Sequence, residues 1–276
     1  MFNKIGVALS FSPYCESLLN EVEKVRSLYQ AELIIIRVSD AQNHDLDHER
    51  IINLLEKLGI NQEGIKIILE KGEPSKKILK TCKNEKIDLL MMGALPKESF
   101  IKQYLGSIAR NVLRNSECSV FVVLVSSIPT TYDRITVDCY EEHKIKKAIE
   151  AAYDLGYKKK ASQINLLKQL QLYGLAMSME EYSEETYSHV KKGHVDKAIK
   201  QVELLLQDVD THNIKTNIKV TGGKPGYELV KYIKNSKTDL LVTSAPDHKL
   251  GLLDRFFPHH LEFVFSDLPC NLLVVH

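Results

Sequence analysis

Short aliphatic runs alternate along the chain with stretches whose apolar residues recur every three or four positions, and the alternation runs through it twice. Ile5 to Leu9 is an unbroken apolar run of the kind expected from a strand covered on both faces. Glu16 to Tyr29 follows with Leu18, Leu19, Val22, Val25 and Leu28 at helical spacing, and Glu32 to Val38 is again a strand, which predicts a β-α-β unit. His48 to Leu58 carries Ile51, Ile52, Leu54, Leu55 and Leu58 on one helical face, behind a polar loop in which Asp47 is the expected cap. Ile65 to Leu69 predicts a third strand, and Gly72-Glu73-Pro74-Ser75 ends it and opens a helix to about Asn84. Leu89 to Met92, Ser107 to Arg114 and Val120 to Val125 add strand, helix and strand. Five strands separated by four helices predict a parallel, doubly wound sheet, because right-handed crossovers lay helices on both faces.

The second half repeats the first. Gly72-Glu73-Pro74 returns as Gly223-Lys224-Pro225 and Asp88-Leu89-Leu90 as Asp239-Leu240-Leu241, both 151 positions on; Cys118-Ser119-Val120 returns as Cys270-Asn271-Leu272, 152 on. At the front, Val7-Ala8-Leu9-Ser10 aligns with Ile135-Thr136-Val137-Asp138 at an offset of 128, so the second copy is expected to hold about 23 extra residues (151 less 128) between 171 and 192. Its best helices are Lys144 to Leu155 and Val195 to Val209. Ser126 to Tyr132 lacks periodicity and reads as a linker, which predicts domains at 1–126 and 133–276. The apolar last strands, Val120 to Val125 and Leu272 to Val275, would each leave an unpaired edge; pairing them is expected to pack the copies as a pseudo-dimer.

Composition narrows the function. Among 276 residues, 37 Lys and Arg against 36 Asp and Glu leave a net charge of +1, too little field to hold a nucleic acid or an anionic membrane surface. Hydrophobic residues at 44% supply a packed core. Val120-Phe121-Val122-Val123-Leu124-Val125 is far shorter than the roughly 20 residues of a membrane span, and Met-Phe-Asn-Lys does not begin a secretory signal, so a cytoplasmic location is expected. The cysteines Cys15, Cys82, Cys118, Cys139 and Cys270 are scattered without a Cys-x-x-Cys, which predicts reduced thiols rather than a disulfide framework or zinc knuckle.

In an open parallel sheet the ligand site lies beyond the carboxyl ends of the strands. After the fourth strand come Gly93-Ala94-Leu95-Pro96 and then Gly106-Ser107 at the start of a helix. Glycines and a helix start with a Ser hydroxyl make an anion cradle; the plainer alternative is a turn and an ordinary cap. Gly222-Gly223-Lys224-Pro225-Gly226 lacks the spacing of a P-loop and reads as a strand-to-helix turn. His44 and His48, like His248, His259 and His260, read as polar loop residues rather than metal ligands, and Glu180, Glu181, Glu184 and Glu185 as a solvated helix face.

Taken together, the Gly-x-Pro before the third helix, the Asp-Leu-Leu before the glycine loop, Gly93 with Gly106-Ser107, and the Cys-x-Val-x-Val-Val closing the copy resemble the universal stress proteins in their tandem form. The resemblance implies two tandem five-stranded domains of the adenine nucleotide alpha hydrolase-like type. It also implies a stress-response protein that is not an enzyme and binds ATP or AMP, with no metal, acting as a pseudo-dimer and able to form a homodimer. Carried over residue by residue, the site in the first copy comprises Ser10 where the family's binders have Asp, Val38, Met92, Gly93, Pro96 at the second glycine position, Gly106, Ser107 and Ile108. In the second copy Asp138 is aligned with the acidic position and is a candidate second site, while Ser244, Asp247 and Pro258-His259 replace the phosphate loop. A degenerate scaffold acting through protein contacts and a nucleotide hydrolase are the other readings.

Overall fold

The computed structural model describes residues 1–94, 105–124, 131–140, 145–170, 184–224, 226–245 and 259–276. The chain forms two compact units. Unit 1 runs β1 (Lys4–Ala8), α1 (Cys15–Tyr29), β2 (Glu32–Val38), α2 (His44–Lys57), β3 (Ile65–Glu70), α3 (Pro74–Glu85), β4 (Leu89–Ala94), α4 (Ser107–Asn115) and β5 (Ser119–Leu124). Unit 2 runs β6 (Arg134–Asp138), α5 (Ile145–Lys159), β7 (Gln163–Leu170), α6 (Glu184–Leu206), β8 (Lys215–Gly222), α7 (Tyr227–Ser236), β9 (Leu240–Ser244) and α8 (His259–Ser266). The last strand, β10 (Asn271–Val275), falls in unit 1, although by sequence it closes the second repeat.

Unit 1 has the strand order β3-β2-β1-β4-β5-β10. Its first five strands are parallel, as expected from helical crossovers; β10 runs antiparallel to β5 with Leu272 opposite Val122 and Val274 opposite Val120. Unit 2 has the parallel order β9-β6-β7-β8. The central strands are covered on both sides: Ile5, Val7, Ile35, Leu90, Ile135, Leu166 and Leu241 are fully buried, each contributing about 1.5–3 kcal/mol of apolar burial. Among the described residues no helix is long and apolar enough to cross a membrane.

The backbone repeats more tightly than the side chains do. Gln30 and Lys160, 130 positions apart, both end their helices in the left-handed conformation at φ 50° and 57°. Lys86 and Lys237 do the same 151 positions apart, at 55° and 52°, and Gly72 and Gly223 both turn into a helix at positive φ. The recurring Asp is a strand clamp. Asp88 Oδ2 accepts the N–H groups of Asn3 and Lys4 at 2.9 Å, and Asp239 accepts the Arg134 N–H at 2.9 Å and the Thr131 hydroxyl at 3.1 Å.

Three expectations change. Ile5 pairs with Leu89 and Ile135 with Leu240, so the true offset at the front is 130, not 128. The second copy therefore holds 21 extra residues (151 less 130), and the offset rises from 131 at β7 to 151 at β8, which puts 20 of them between those strands. The helix expected from Val195 begins at Glu184, because the end of the insertion continues it; residues 171–183 lie outside the described residues. Helix α2 begins at His44 rather than His48, and Asp47 caps nothing: its carboxylate is taken by Arg37 of β2.

Candidate functional site

Chain order reverses in unit 1 where β1 lies between β2 and β4, the point at which neighbouring crossovers leave on opposite faces and open a crevice. A cavity of about 360 Å³ occupies that crevice. Ala8, Leu9 and Ser10 enter it from the end of β1, Ile36, Arg37 and Val38 from β2, and Met92, Gly93 and Ala94 from β4. Pro74 and Ile78 of α3 and Gly106, Ile108 and Ala109 at the start of α4 complete it. Six sequence candidates therefore share one cavity: Ser10, Val38, Met92, Gly93, Gly106 and Ile108. Ser107, the first residue of α4, stands between two of its lining residues; Pro96 lies outside the described residues. Among the described residues that line the cavity there is no carboxylate.

Arg37 was missed. Its signal is a lone cation in the otherwise apolar run from Leu33 to Val38, which marks a strand end that turns from core to crevice. Arg37 Nε donates to Asp47 Oδ2 at 3.0 Å, and its guanidinium lies 4.6 Å from the centre of the Phe11 ring. Arg50 lies over the same ring at 4.0 Å, so the mouth beside Ser10 carries two cations, one of them neutralised by Asp47.

Two helices begin at the cavity, and they differ in what satisfies their first N–H groups. In α3, Glu73 accepts from the N–H groups of Ser75 (3.1 Å) and Lys76 (3.0 Å) and from the Ser75 hydroxyl (2.6 Å). That hydroxyl above all, with the two N–H groups, holds the exposed Glu73 carboxyl below its ordinary range. The dipole of α3 is already matched. Among the described residues no side chain caps α4, and a Cβ built at Gly106 would meet none of their atoms within 4 Å. The N–H groups and the dipole of a helix start of this kind can receive an anion at one end of an apolar slot.

The second repeat carries different side chains at the corresponding place. With the corrected register, Asp138 matches Ala8, and Tyr140, not Asp138, stands where Ser10 does. The expectation of a family carboxylate at Asp138 is therefore overturned; it arose from a two-residue misalignment within β6. Asp138 is 1% exposed, and its Oδ1 accepts the Gln169 amide at 2.9 Å. Gln169, the counterpart of Val38, also accepts the Gly226 N–H at 3.1 Å through Oε1. Lys224 replaces Glu73 and caps nothing; its ammonium lies 5.0 Å from the Phe263 ring centre. Gly222 to Gly226 joins β8 to α7, as a strand-to-helix turn does. Asp247, Pro258 and the histidine side chains of the altered loop lie outside the described residues.

Residues 1–123 match the model of the universal stress protein family. A universal stress protein of Methanocaldococcus jannaschii is 25% identical over 154 residues, 45% of this chain and 95% of that protein. A putative universal stress protein from Pseudomonas aeruginosa UCBPP-PA14 superposes with a TM-score of 0.75 at 14% identity, over 99% of this chain and 93% of that one. A universal stress protein from Archaeoglobus fulgidus DSM 4304 does so with a TM-score of 0.67 at 16% identity, over 100% and 98%. At these identities the two solved structures speak to the fold, which they share across both repeats.

Proposed function

The chain belongs to the universal stress protein family, and from that premise we propose that unit 1 binds an adenine nucleotide, ATP or AMP, while unit 2 binds none. The observation that carries this reading is the uncapped start of α4 at Gly106-Ser107, facing a 360 Å³ slot lined by Val38, Ile36, Met92 and Ile78. Such a slot suits a flat apolar ring, with main-chain groups at the end of β2 for its polar edge, and the helix start suits a phosphate. Ser107 would add its hydroxyl to the N–H groups there.

Binding rather than hydrolysis is the proposed activity. Phosphoryl transfer to water uses a carboxylate or amide that orients the water and carboxylates that hold a metal. Among the described residues of the cavity wall there is neither; the polar side chains among them are Ser10 and Arg37, the second already paired with Asp47. The proposed units of duplication remain 1–126 and 133–276, and the proposed setting is the cytoplasm, with no part for nucleic acid. Mass spectrometry of small molecules released from the purified, denatured protein tests the reading. An adenine nucleotide near one equivalent per chain supports it. Empty protein that also takes up no added ATP or AMP favours a scaffold acting through protein contacts.

A further inference from the structure

Two guanidinium groups meet at Phe11, the residue that follows Ser10 at the mouth of the nucleotide cavity. Arg37 reaches the ring from β2, 4.6 Å from its centre, and Arg50 reaches it from α2, 4.0 Å from the centre. The aromatic face positions both side chains without using an N–H donor. Arg37 uses one donor on Asp47, Nε to Oδ2 at 3.0 Å, and among the described residues its two Nη groups have no hydrogen-bond partner. Arg50 is exposed and, among the described residues, has no hydrogen-bond or ion-pair partner. Two cations against one carboxylate leave the cluster a surplus positive charge, and planar N–H forks that match the oxygens of a phosphate.

The sheet order says which part of a ligand meets this cluster. With the base in the slot beside Val38 of β2 and the 5′-phosphate at the start of α4, which follows β4, the ribose crosses the end of β1, the strand between them. Ser10 and Phe11 stand at that end. In open α/β sheets of this kind an acid receives the sugar hydroxyls of a nucleotide, whereas an arginine accommodates a phosphate esterified to the sugar. Here the described wall holds arginine and no acid.

Resting on the reading of unit 1 as an adenine-nucleotide site, we propose that its cavity selects a nucleotide carrying a second phosphate, on the 2′ or 3′ oxygen of the ribose, held by Arg37 and Arg50. A sugar hydroxyl would leave the surplus charge unanswered; a phosphate there answers it and accepts from both forks. The arginine pair belongs to the first repeat alone. In the second, Lys168 matches Arg37, and Gln201, which precedes the buried Val202 as Arg50 precedes the buried Ile51, carries no charge. Lys168 and Gln201 line one cavity of about 230 Å³, so these two positions converge in that repeat as well.

The test titrates AMP, adenosine 2′,5′-bisphosphate and adenosine 3′,5′-bisphosphate calorimetrically into the full-length chain and into Arg50→Met, which keeps an unbranched stem at an exposed position and removes the charge. At least one bisphosphate is expected to bind the wild-type chain about tenfold or more tightly than AMP, and that preference should fall to about twofold or less in Arg50→Met. A preference that survives Arg50→Met undiminished overturns the proposal, as does a wild-type chain that binds AMP as tightly as both bisphosphates; in either case the adenine-nucleotide reading stands. A chain that binds none of the three overturns both.

Discussion

Gln169 Nε2 donates to Asp138 Oδ1 at 2.9 Å, a buried bond between the ends of β6 and β7 where the first repeat has Val38 and Ala8. The same amide accepts the Gly226 N–H, so one side chain ties together the ends of β6 and β7 and the start of α7. In the first repeat Val38 occupies the matching position and has no polar group to make these bonds, and the start of α3, the counterpart of α7, is capped by Glu73 instead.

Replacing Gln169 by Leu should therefore cost stability and not binding. The change strips a buried carboxylate of one donor and the Gly226 N–H of its acceptor, a loss of about 1–3 kcal/mol. Urea denaturation measures it. Nucleotide uptake should stay at the wild-type level, and a variant of unchanged stability would contradict the bridging role.

A second test uses pH. The Glu73 carboxyl is held below its ordinary range in the folded chain, so its capping contribution is complete above the unfolded value, about 4.3 for Glu, and fades as pH falls through the folded value. Glu73→Ala should lower Tm at pH 7, and the gap to wild type should shrink in increasingly acid buffer. A gap that is constant with pH would show that the ionised cap is not its source.

The β5 and β10 pair is pinned at both ends: Asn271 Oδ1 accepts the Leu124 N–H at 2.8 Å, and Ser119 Oγ accepts the His276 N–H at 3.2 Å. Asn271→Ala should cost about 1–3 kcal/mol by leaving a largely buried N–H without its acceptor. Amide exchange of Leu124 should quicken with it, and unchanged exchange would count against the clamp.

Much of this was legible in the residues. Glu32–Val38 matches its apolar run end to end because a strand covered on both faces admits few polar residues, and Gly106-Ser107 opens α4 where expected. What misled was local pattern without its tertiary partner. Asp47 sits where a cap would, yet Arg37 from another element takes its carboxylate. The two-residue slip at Asp138 followed the Ser10–Asp138 likeness over the register in which Ile5 and Val7 meet the identical Ile135 and Val137, the register that the pairing with β4 and β9 fixes. The role of Asp88 and Asp239 as strand clamps was invisible for the same reason, since the N–H groups they hold are over 80 positions away.

Ser10 is where the family's binders carry an acid, and Arg37 lines the same cavity. Ser10→Asp should tighten AMP roughly tenfold, about 1.4 kcal/mol, by adding a charged acceptor at the nucleoside end. Calorimetry with AMP reads the change. Equal or weaker affinity would show that the nucleoside is not held at the end of β1.

The central claim, a nucleotide whose phosphate rests on the start of α4, is tested most directly by titrating ATP and AMP calorimetrically into the wild-type chain and into Gly106→Asp. A side chain at Gly106 has room to enter, since its Cβ would meet no atom of the described residues within 4 Å, so the variant should fold normally while its carboxylate occupies and repels the phosphate seat. The account predicts one site per wild-type chain and an affinity at least about 100-fold weaker in the variant, a difference of about 2.7 kcal/mol. Binding that survives Gly106→Asp undiminished would contradict it.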